Sequence, residues 1–460
     1  MICPVYRIAE HNPTAIFLCT DDRNFSYVEF NERIRSKEFT LHQNGYQKGD
    51  RLAIVHSSVF EIACWLFACA RQGVSLAILS DRDPSDHHDL ITQQHNIALL
   101  HHDQMIASDH LISDPDHPIN TRDHPIIECD HPCTILFTSG SSSVPKAVVH
   151  SFVNHWSSAQ FSAENIAYVP GDRWLLSLSL WHIGGLAILF RTIQARATAI
   201  TRDPTRSLSV QIEEDVITHV SVVATQLSDI LSTIPRHQLK AILVGGGPIP
   251  PSLVDRALEH KLPIHTTYGM TELCSQLSTT PPQSSKEILR SAGYLLGDWC
   301  CKLSESGEIC VKGSPLFLGY WNGISIDPRR DSDGFFHTND TGYVQNELLY
   351  PVGRLDQMFI SGGENIHPEE IEKILRTQVK QAIVVPIPHS RYGQRPVAFL
   401  FGEYQLDEIE TLLSEALPKF KHPDYYFPWP ANISRIKPSR SSLRSLASSY
   451  LNTLSLKNKQ

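Results

Sequence analysis

The sequence predicts an α/β fold built on a parallel sheet, because strand and helix signals alternate along the first part of the chain. Leu52–Val55 and Val74–Leu79 are short apolar runs typical of buried strands, and Glu61–Gln72 between them is apolar at helical spacing. Gly73 is a plausible cap for that helix. The composition, with 41% hydrophobic and 19% charged residues, is that of a globular chain and excludes disorder as its main state.

Elements before and after this unit are predicted by the same patterns. A helical pattern runs from Val28 to Ile34, and residues 81–132 are predicted to form helix fragments and surface loops. After about residue 290 the pattern changes to short strands and turns, with a helix that is acidic at its start over 369–376. Further strands are predicted at Ile135–Phe137, Leu175–Leu178, His219–Val223 and Ala241–Val244.

Length, charge and apolar patterning narrow the class of protein. A chain of 460 residues allows two to four domains, or one large domain and one small one. The net charge of −9 disfavours a nucleic-acid partner. The most apolar stretch, Trp174–Phe190, contains serines, glycines and a histidine, so we predict a buried strand and a helix there and no stable membrane insertion.

Cysteine usage and the N-terminus favour a reduced, cytoplasmic protein. The first residues lack the apolar core of a signal peptide. Cys129 and Cys133 have a spacing that zinc could use, but no second Cys/His pair follows at the distance of a zinc finger, so no zinc site is predicted. Many of the 23 histidines adjoin aspartates between residues 83 and 131, and we interpret these pairs as solvated surface.

A small-residue loop follows the strand at Ile135–Phe137. The segment Thr138–Lys146, with the sequence TSGSSSVPK, allows close approach of backbone N–H groups to an anion and adds hydroxyl donors and one cation. It is not a Walker A loop, which requires G-x-x-x-x-G-K-[ST]. Taken alone, it could equally be an ordinary surface loop before a helix.

Four further motifs follow in a fixed order. They are YGMTE at 268–272, DGFFHTNDTG at 333–342, GRLDQMFISGGENIHPEEIE at 353–372 and IKPSR at 436–440. With the Ser/Gly loop they resemble, over nearly the whole chain, the adenylate-forming superfamily of acyl- and aryl-CoA ligases, luciferases and adenylation domains. His337 and His367 lie inside these motifs, and neither matches a catalytic position of the superfamily.

Within this superfamily the chain is most similar to the o-succinylbenzoate–CoA ligases of menaquinone biosynthesis. It is short for a CoA ligase, and the tail lacks the usual Gly before Lys437. The segments that carry the similarity are 172–185 with Phe190 and Arg191, ATQL at 224–227 and KAILVGGG at 240–247.

The resemblance implies a two-domain, AMP-forming ligase. Residues 1–353 would form a large ATP- and acyl-binding domain with parallel or mixed sheets, and 354–460 a small mobile α+β domain. ATP, Mg²⁺ and CoA are the implied cofactor and co-substrates, and an aryl carboxylic acid is the implied substrate. Self-association of the chain is left open.

The resemblance also assigns roles in adenylation. Lys437 would stabilise charge at the transferring phosphorus, and Glu272 would hold Mg²⁺. Thr271 would donate to the α-phosphate, unless Thr271 and Glu272 only begin a helix. The implied ATP and AMP contacts are Thr138, Ser139, Gly140, Ser141, Ser142, Lys146, Gly246, Gly247, Tyr268, Gly269, Thr271, Asp340 and Arg354.

The acyl pocket is implied at His182, Gly184, Arg191 and Thr225. His182 is also counted with the catalytic residues Lys437, Glu272 and Thr271. It is expected at the end of a strand, where it would gate the pocket, or else to be a satisfied core histidine. Arg191 interrupts an apolar helix, and a buried charge needs a partner. That partner would be a second substrate carboxylate, unless Arg191 pairs with a protein acid or reaches the surface.

The second half-reaction would use a different set of residues. Asp356 matches the hinge of the superfamily, and Gly362 and Gly363 would line the CoA tunnel. Ser143 stands where the superfamily usually has Gly, which leaves an inactive nucleotide- or acyl-CoA-binding relative as one alternative. A ligase for another aryl or fatty acid, or an adenylation domain that feeds a carrier protein, is the other.

Overall fold

The computed structural model describes residues 1–100, 124–138, 145–234, 236–431, 433 and 439–457. The helices are α1 (Pro4–His11), α2 (Tyr27–Gln43), α3 (Val59–Gln72), α4 (Ser85–Gln94), α5 (Phe152–Asn165), α6 (Ile183–Ala195), α7 (Leu208–Glu214), α8 (Ala224–Ser232), α9 (Pro251–Glu259), α10 (Lys286–Leu289), α11 (Pro368–Leu375), α12 (Leu406–Ala416) and α13 (Arg440–Lys457). A 3₁₀ turn is formed by Thr271–Leu273.

The strands of the first part of the chain are β1 (Ile16–Cys19), β2 (Asn24–Ser26), β3 (Arg51–Val55), β4 (Ser75–Leu79), β5 (Ala98–Leu99), β6 (Pro132–Thr138), β7 (Lys146–Ser151), β8 (Arg173–Leu176), β9 (Thr198–Thr201), β10 (His219–Val222), β11 (Ala241–Val244), β12 (Ile264–Tyr268), β13 (Ser278–Thr279) and β14 (Tyr294–Leu295). The later strands are β15 (Cys300–Leu303), β16 (Glu308–Lys312), β17 (Gly319–Trp321), β18 (Ile326–Asp327), β19 (Phe336–Gln345), β20 (Leu348–Arg354), β21 (Phe359–Ser361), β22 (Glu364–Ile366), β23 (Gln381–His389), β24 (Gly393–Phe401) and β25 (Tyr425–Pro428).

Local capping explains where α2 begins and where α3 ends. The Ser26 hydroxyl accepts from the Glu29 N–H, and the Glu29 carboxylate accepts from the Ser26 N–H, so this reciprocal pair begins α2. Gly73 ends α3 in the left-handed conformation, with φ +68°, as its sequence position predicts. The parallel pairing of β3 with β4 around α3 confirms the predicted strand–helix–strand unit.

The described chain divides into two compact units. The first comprises Met1–Gly247, Arg256–Cys300 and Val311–Phe336, and the second comprises Pro248–Asp255, Cys301–Cys310 and His337–Gln460. The predicted domain boundary between residues 353 and 354 stays a prediction.

Two mixed sheets form the frame of the first unit. One has nine strands in the order β14-β13-β12-β11-β10-β8-β9-β1-β2, and the other has seven in the order β18-β17-β7-β6-β4-β3-β5. Apolar residues of α3 and α6 belong to one large buried cluster of this unit, which includes Trp65, Phe67, Leu186 and Phe190. The functional segments leave these sheets at strand ends, where a parallel sheet places its ligands.

The second unit contains most of a four-stranded sheet, β15-β16-β19-β20, and a five-stranded sheet of β21–β25. Alternate residues of β23 face opposite sides of the five-stranded sheet, as the two-residue period of a strand requires. Ala382 and Val384 pack with α11 and α12, whereas Ile383 and Val385 pack with α13. The protein thus has an α/β fold, and no described helix is long and apolar enough to cross a membrane.

Two expectations about residues 172–182 need correction. The predicted strand at Leu175–Leu178 is β8, which ends at Leu176, so His182 does not end a strand. Local hydrogen bonds compete with the strand here: the Ser177 N–H donates to the Leu175 carbonyl and the His182 N–H to the Ser179 carbonyl. His182 instead precedes α6 as its N-cap residue, and it is exposed, which excludes the core-histidine interpretation.

Candidate active site

Strands β6 and β7 flank the predicted phosphate loop. Thr138 is the last residue of β6 and lies opposite Lys146, the first residue of β7. The Lys146 ammonium lies 5.2 Å from the ring centre of Tyr320, which is on the neighbouring strand β17. The predicted contacts Ser139, Gly140, Ser141 and Ser142, and the divergent Ser143, lie outside the described residues.

Glu272 is a buried carboxylate on the 3₁₀ turn that follows β12, with a relative exposure of 6%. Its Oε1 accepts a hydrogen bond of 2.8 Å from the Tyr320 hydroxyl, and its backbone carbonyl accepts one of 2.9 Å from the Phe317 N–H. Thr271 is not a side-chain cap of this turn. Because a carboxylate has a second oxygen, this arrangement fits the oxygen-ligand chemistry of Mg²⁺.

His150 fixes the residue before Glu272. Its Nε2 lies 2.7 Å from the Thr271 carbonyl oxygen and donates to it. Burial lowers the pKa of His150 to about 4, although this hydrogen bond opposes the shift. The imidazole is therefore neutral at neutral pH and acts as a fixed donor, so that β7 positions both Lys146 and the turn of Glu272.

Glycines follow the ends of strands β11 and β12, where one adopts a positive φ and another allows close approach of the backbone. Gly246 follows β11 with φ +78°, a conformation that suits Gly. Gly269 follows Tyr268, the last residue of β12, and a Cβ on Gly269 would lie 1.5 Å from the Ser275 carbonyl oxygen. Gly247 is open, since a Cβ there would meet nothing within 4 Å.

Replacing Gly269 by Ala is expected to lower the free energy of unfolding by about 1–3 kcal/mol, because the added methyl group must displace backbone. The change should be measured by denaturant unfolding. Gly247→Ala, in the same group of predicted nucleotide contacts, is the matched control and should leave stability nearly unchanged. Equal losses in the two variants would contradict the close approach at Gly269.

Arg191 lies inside α6 with 3% relative exposure. Its Nη2 donates to Gln276 Oε1 at 2.7 Å and to Ser275 Oγ at 3.3 Å, and its guanidinium carbon is 5.2 Å from the ring centre of Trp174. Among the described residues its Nε has no hydrogen-bond partner. Burial lowers the pKa of Arg191 to about 10, and the nearby Cys274 thiol opposes this shift.

This environment excludes one of the interpretations of Arg191. Its burial excludes a side chain that reaches the surface, and no acid in the described part of the chain pairs with it. A guanidinium that retains an unused buried donor suits an anionic ligand.

Two other residues were predicted to line the acyl pocket. Gly184 is the second residue of α6, where a Cβ would lie 3.0 Å from Leu178, and Thr225 is an exposed residue of α8.

In the second unit, Asp340 and Arg354 face each other across β19 and β20. Arg354 Nη1 lies 3.3 Å from Asp340 Oδ1, and Arg354 Nη2 lies 3.0 Å from Asp356 Oδ2. Burial raises the pKa of Asp356, but the hydrogen bonds from Arg354 outweigh it, so the net pKa is below the usual value. Asp340 and Asp356 thus share one cation.

Gly362 and Gly363 form the turn between β21 and β22, with φ of +62° and +92°. Lys437 lies outside the described residues.

Arg440, for which no role was predicted, donates to Glu372 Oε1 at 2.5 Å and to Glu369 Oε1 at 3.3 Å. Because Glu372 is almost fully buried, Arg440 neutralises a buried charge and is a structural residue of this unit.

Four residues that were not predicted from the sequence hold the predicted ones in place: Tyr320 at Glu272, His150 at Thr271, and Ser275 and Gln276 at Arg191. Ser275 and Gln276 directly follow the YGMTE motif, and this proximity is the only signal that could have found them. Tyr320 reaches the site through the antiparallel pairing of β17 with β7, which no local pattern indicates.

The chain is similar to known proteins over most of its length. The profile of the AMP-binding enzyme family matches residues 5–321. The chain is 31% identical to 2-succinylbenzoate–CoA ligase of Bacillus pumilus, over 89% of this chain and 90% of the relative, and 31% identical to that of Bacillus subtilis, over 91% and 92%.

Solved structures of o-succinylbenzoate CoA synthetase are also similar to this chain. The o-succinylbenzoate CoA synthetase of Bacillus subtilis in complex with its acyl-adenylate intermediate is similar with a TM-score of 0.85 and 29% identity, over 96% of this chain and 98% of that one. The same enzyme in complex with ATP and magnesium ion is similar with a TM-score of 0.81, over 94% and 96%. The chain therefore belongs to the family of AMP-binding enzymes.

Proposed function

We propose that this protein is a 2-succinylbenzoate–CoA ligase, which uses ATP to form an acyl-adenylate and then transfers the acyl group to CoA. Support comes from relatives of that name that match over about nine tenths of the chain. The observation that carries the substrate class is Arg191, a buried guanidinium with an unused donor and no acidic partner in the described part of the chain. A substrate with a second carboxylate would pair with it.

In the first half-reaction, a carboxylate oxygen of the acid attacks the α-phosphorus of ATP, and pyrophosphate leaves. Bound Mg²⁺ would neutralise phosphate charge, and Glu272 is the residue that would hold it. Lys146, Thr271 and the segment Thr138–Ser142 are proposed to position the phosphates, and Lys437 to stabilise the charge that develops on them. Tyr268, Gly246, Gly247 and Gly269 are proposed to contact the nucleotide.

In the second half-reaction, the sulfur of the CoA thiolate attacks the acyl carbon, and AMP leaves with the electrons of the broken C–O bond. No protein nucleophile is needed. Asp340 and Arg354 are proposed to contact the ribose, Asp356 to be the hinge of a small domain over 354–460, and Gly362 and Gly363 to border the pantetheine chain. His182, Gly184 and Thr225 are proposed to line the acyl pocket with Arg191.

Acid-dependent exchange of pyrophosphate into ATP tests the first half-reaction. We expect exchange with 2-succinylbenzoate and much weaker exchange with benzoate or a fatty acid. Exchange that favours benzoate or a fatty acid would assign the protein to a ligase for a different acid. ATP binding without exchange for any acid would instead indicate an inactive relative.

A further inference from the structure

Three metal-ligating side chains meet on one face of the four-stranded sheet in the second unit. Glu308 and Cys310 are alternate residues of β16, so they point to the same side, and His337 lies on the neighbouring strand β19. One ligand atom from each of the three lies within 4.8 Å of the others. None of these residues has a part in the proposed ligase reaction.

The distances suit a single transition-metal ion. His337 Nδ1 lies 2.9 Å from Glu308 Oε2 and 3.5 Å from Cys310 Sγ. Ligand bonds of about 2.0–2.3 Å to Zn²⁺ in a tetrahedral site would place such atoms roughly 3–4 Å apart. The three atoms therefore need little movement to share one ion.

The backbone N–H of Asn339 orients the Glu308 carboxylate through the oxygen that does not face His337. The Asn339 N–H donates to Glu308 Oε1 at 2.8 Å, which leaves Oε2 on the side of His337. Asn339 has φ +62°, a conformation uncommon for residues other than Gly, and it aims this N–H at Glu308. Hydrogen bonds of this kind to the ligands are a regular part of metal sites.

We propose that Glu308, Cys310 and His337 bind a Zn²⁺ ion, with water in the fourth position. Glu308 and Cys310 are buried, and the His337 side chain is 46% exposed, so an ion can enter from solvent on that side. The mixed thiolate, imidazole and carboxylate set suits Zn²⁺ better than Mg²⁺, which prefers oxygen alone. Binding of Zn²⁺ by Cys310 would release the thiol proton.

Metal content of the intact protein tests this site. Protein stripped with a chelator, loaded with Zn²⁺ and gel-filtered should retain one equivalent by elemental analysis. Co²⁺ in place of Zn²⁺ should give a thiolate charge-transfer absorption band. Cys310→Ser should lose that band, and both Cys310→Ser and His337→Gln should weaken Zn²⁺ binding at least about tenfold.

Two exposed residues provide matched controls. Cys300→Ser and His260→Gln remove a thiol and an imidazole elsewhere and should leave both signals unchanged. Circular dichroism would establish that each variant is folded. Absence of Zn²⁺ from the loaded wild-type protein, or equal retention by wild type and Cys310→Ser, would overturn the proposal. Because the readout is metal content, failure here leaves the ligase proposal untouched.

Discussion

Replacing Glu272 by Gln is expected to lower the rate of adenylation about 100- to 1,000-fold, the effect of removing one preorganised electrostatic group. The amide keeps the size of the side chain but removes its charge, in a buried position where the Tyr320 hydroxyl donates to Oε1. Acid-dependent pyrophosphate exchange as a function of Mg²⁺ concentration would measure the change. The variant should also require more Mg²⁺ for half-maximal rate.

Two companion variants separate loss of charge from general damage. Tyr320→Phe removes the hydroxyl that donates to Glu272 and should lower the rate about tenfold, as for other residues that orient a metal ligand. Glu287→Gln changes an exposed acid and should have no effect. A Glu272→Gln enzyme that keeps wild-type exchange at every Mg²⁺ concentration would refute a metal-binding role.

Replacing Arg191 by Leu is expected to raise the KM for 2-succinylbenzoate roughly 10- to 100-fold, since a hydrogen bond to a charged group contributes about 1.5–3 kcal/mol. The KM for ATP should change little. Thermal stability should be unchanged or higher, because Leu removes a buried charge whose Nε is unsatisfied among the described residues. The loss of affinity for the acid should therefore occur without a loss of thermal stability.

The substrate supplies the control for Arg191. An analogue of 2-succinylbenzoate in which the carboxylate that is not adenylated is replaced by a methyl group should bind wild type and Arg191→Leu with similar KM. Arg191→Lys should retain part of the preference for the dicarboxylate. If the KM for both acids rises equally, Arg191 shapes the pocket and does not bind the second carboxylate.

Elements with a clear period were predictable from the sequence. The helix ending at Gly73 and the strand at Ala241–Val244 were both predicted and are present. The end of β8 was not, because Ser177 and Ser179 make turn hydrogen bonds that apolar patterning does not show. Because of these hydrogen bonds, His182 lies at the start of a helix and not at the end of a strand, as was predicted.

The sequence motifs identified the residues proposed to carry the chemistry of the site. They did not identify the residues that hold those side chains and turns in place. Glu272 and Lys146 could be found by their sequence context, because each belongs to a contiguous motif. Tyr320 and His150 could not, since they act through the register of β7 against β17 and through the fold of the turn after β12. Pairing between strands far apart in the chain leaves no local trace in one sequence.

The turn that carries Glu272 has a thermodynamic consequence for nucleotide binding. His150, the Phe317 N–H and the Tyr320 hydroxyl each hold one of its oxygens, and all three bonds are made by the protein itself. Ordering a residue costs about 1–2 kcal/mol of backbone entropy, with more for a glutamate side chain. Folding has already met this entropic cost, so the ordering of Glu272 subtracts little from the free energy of cation binding.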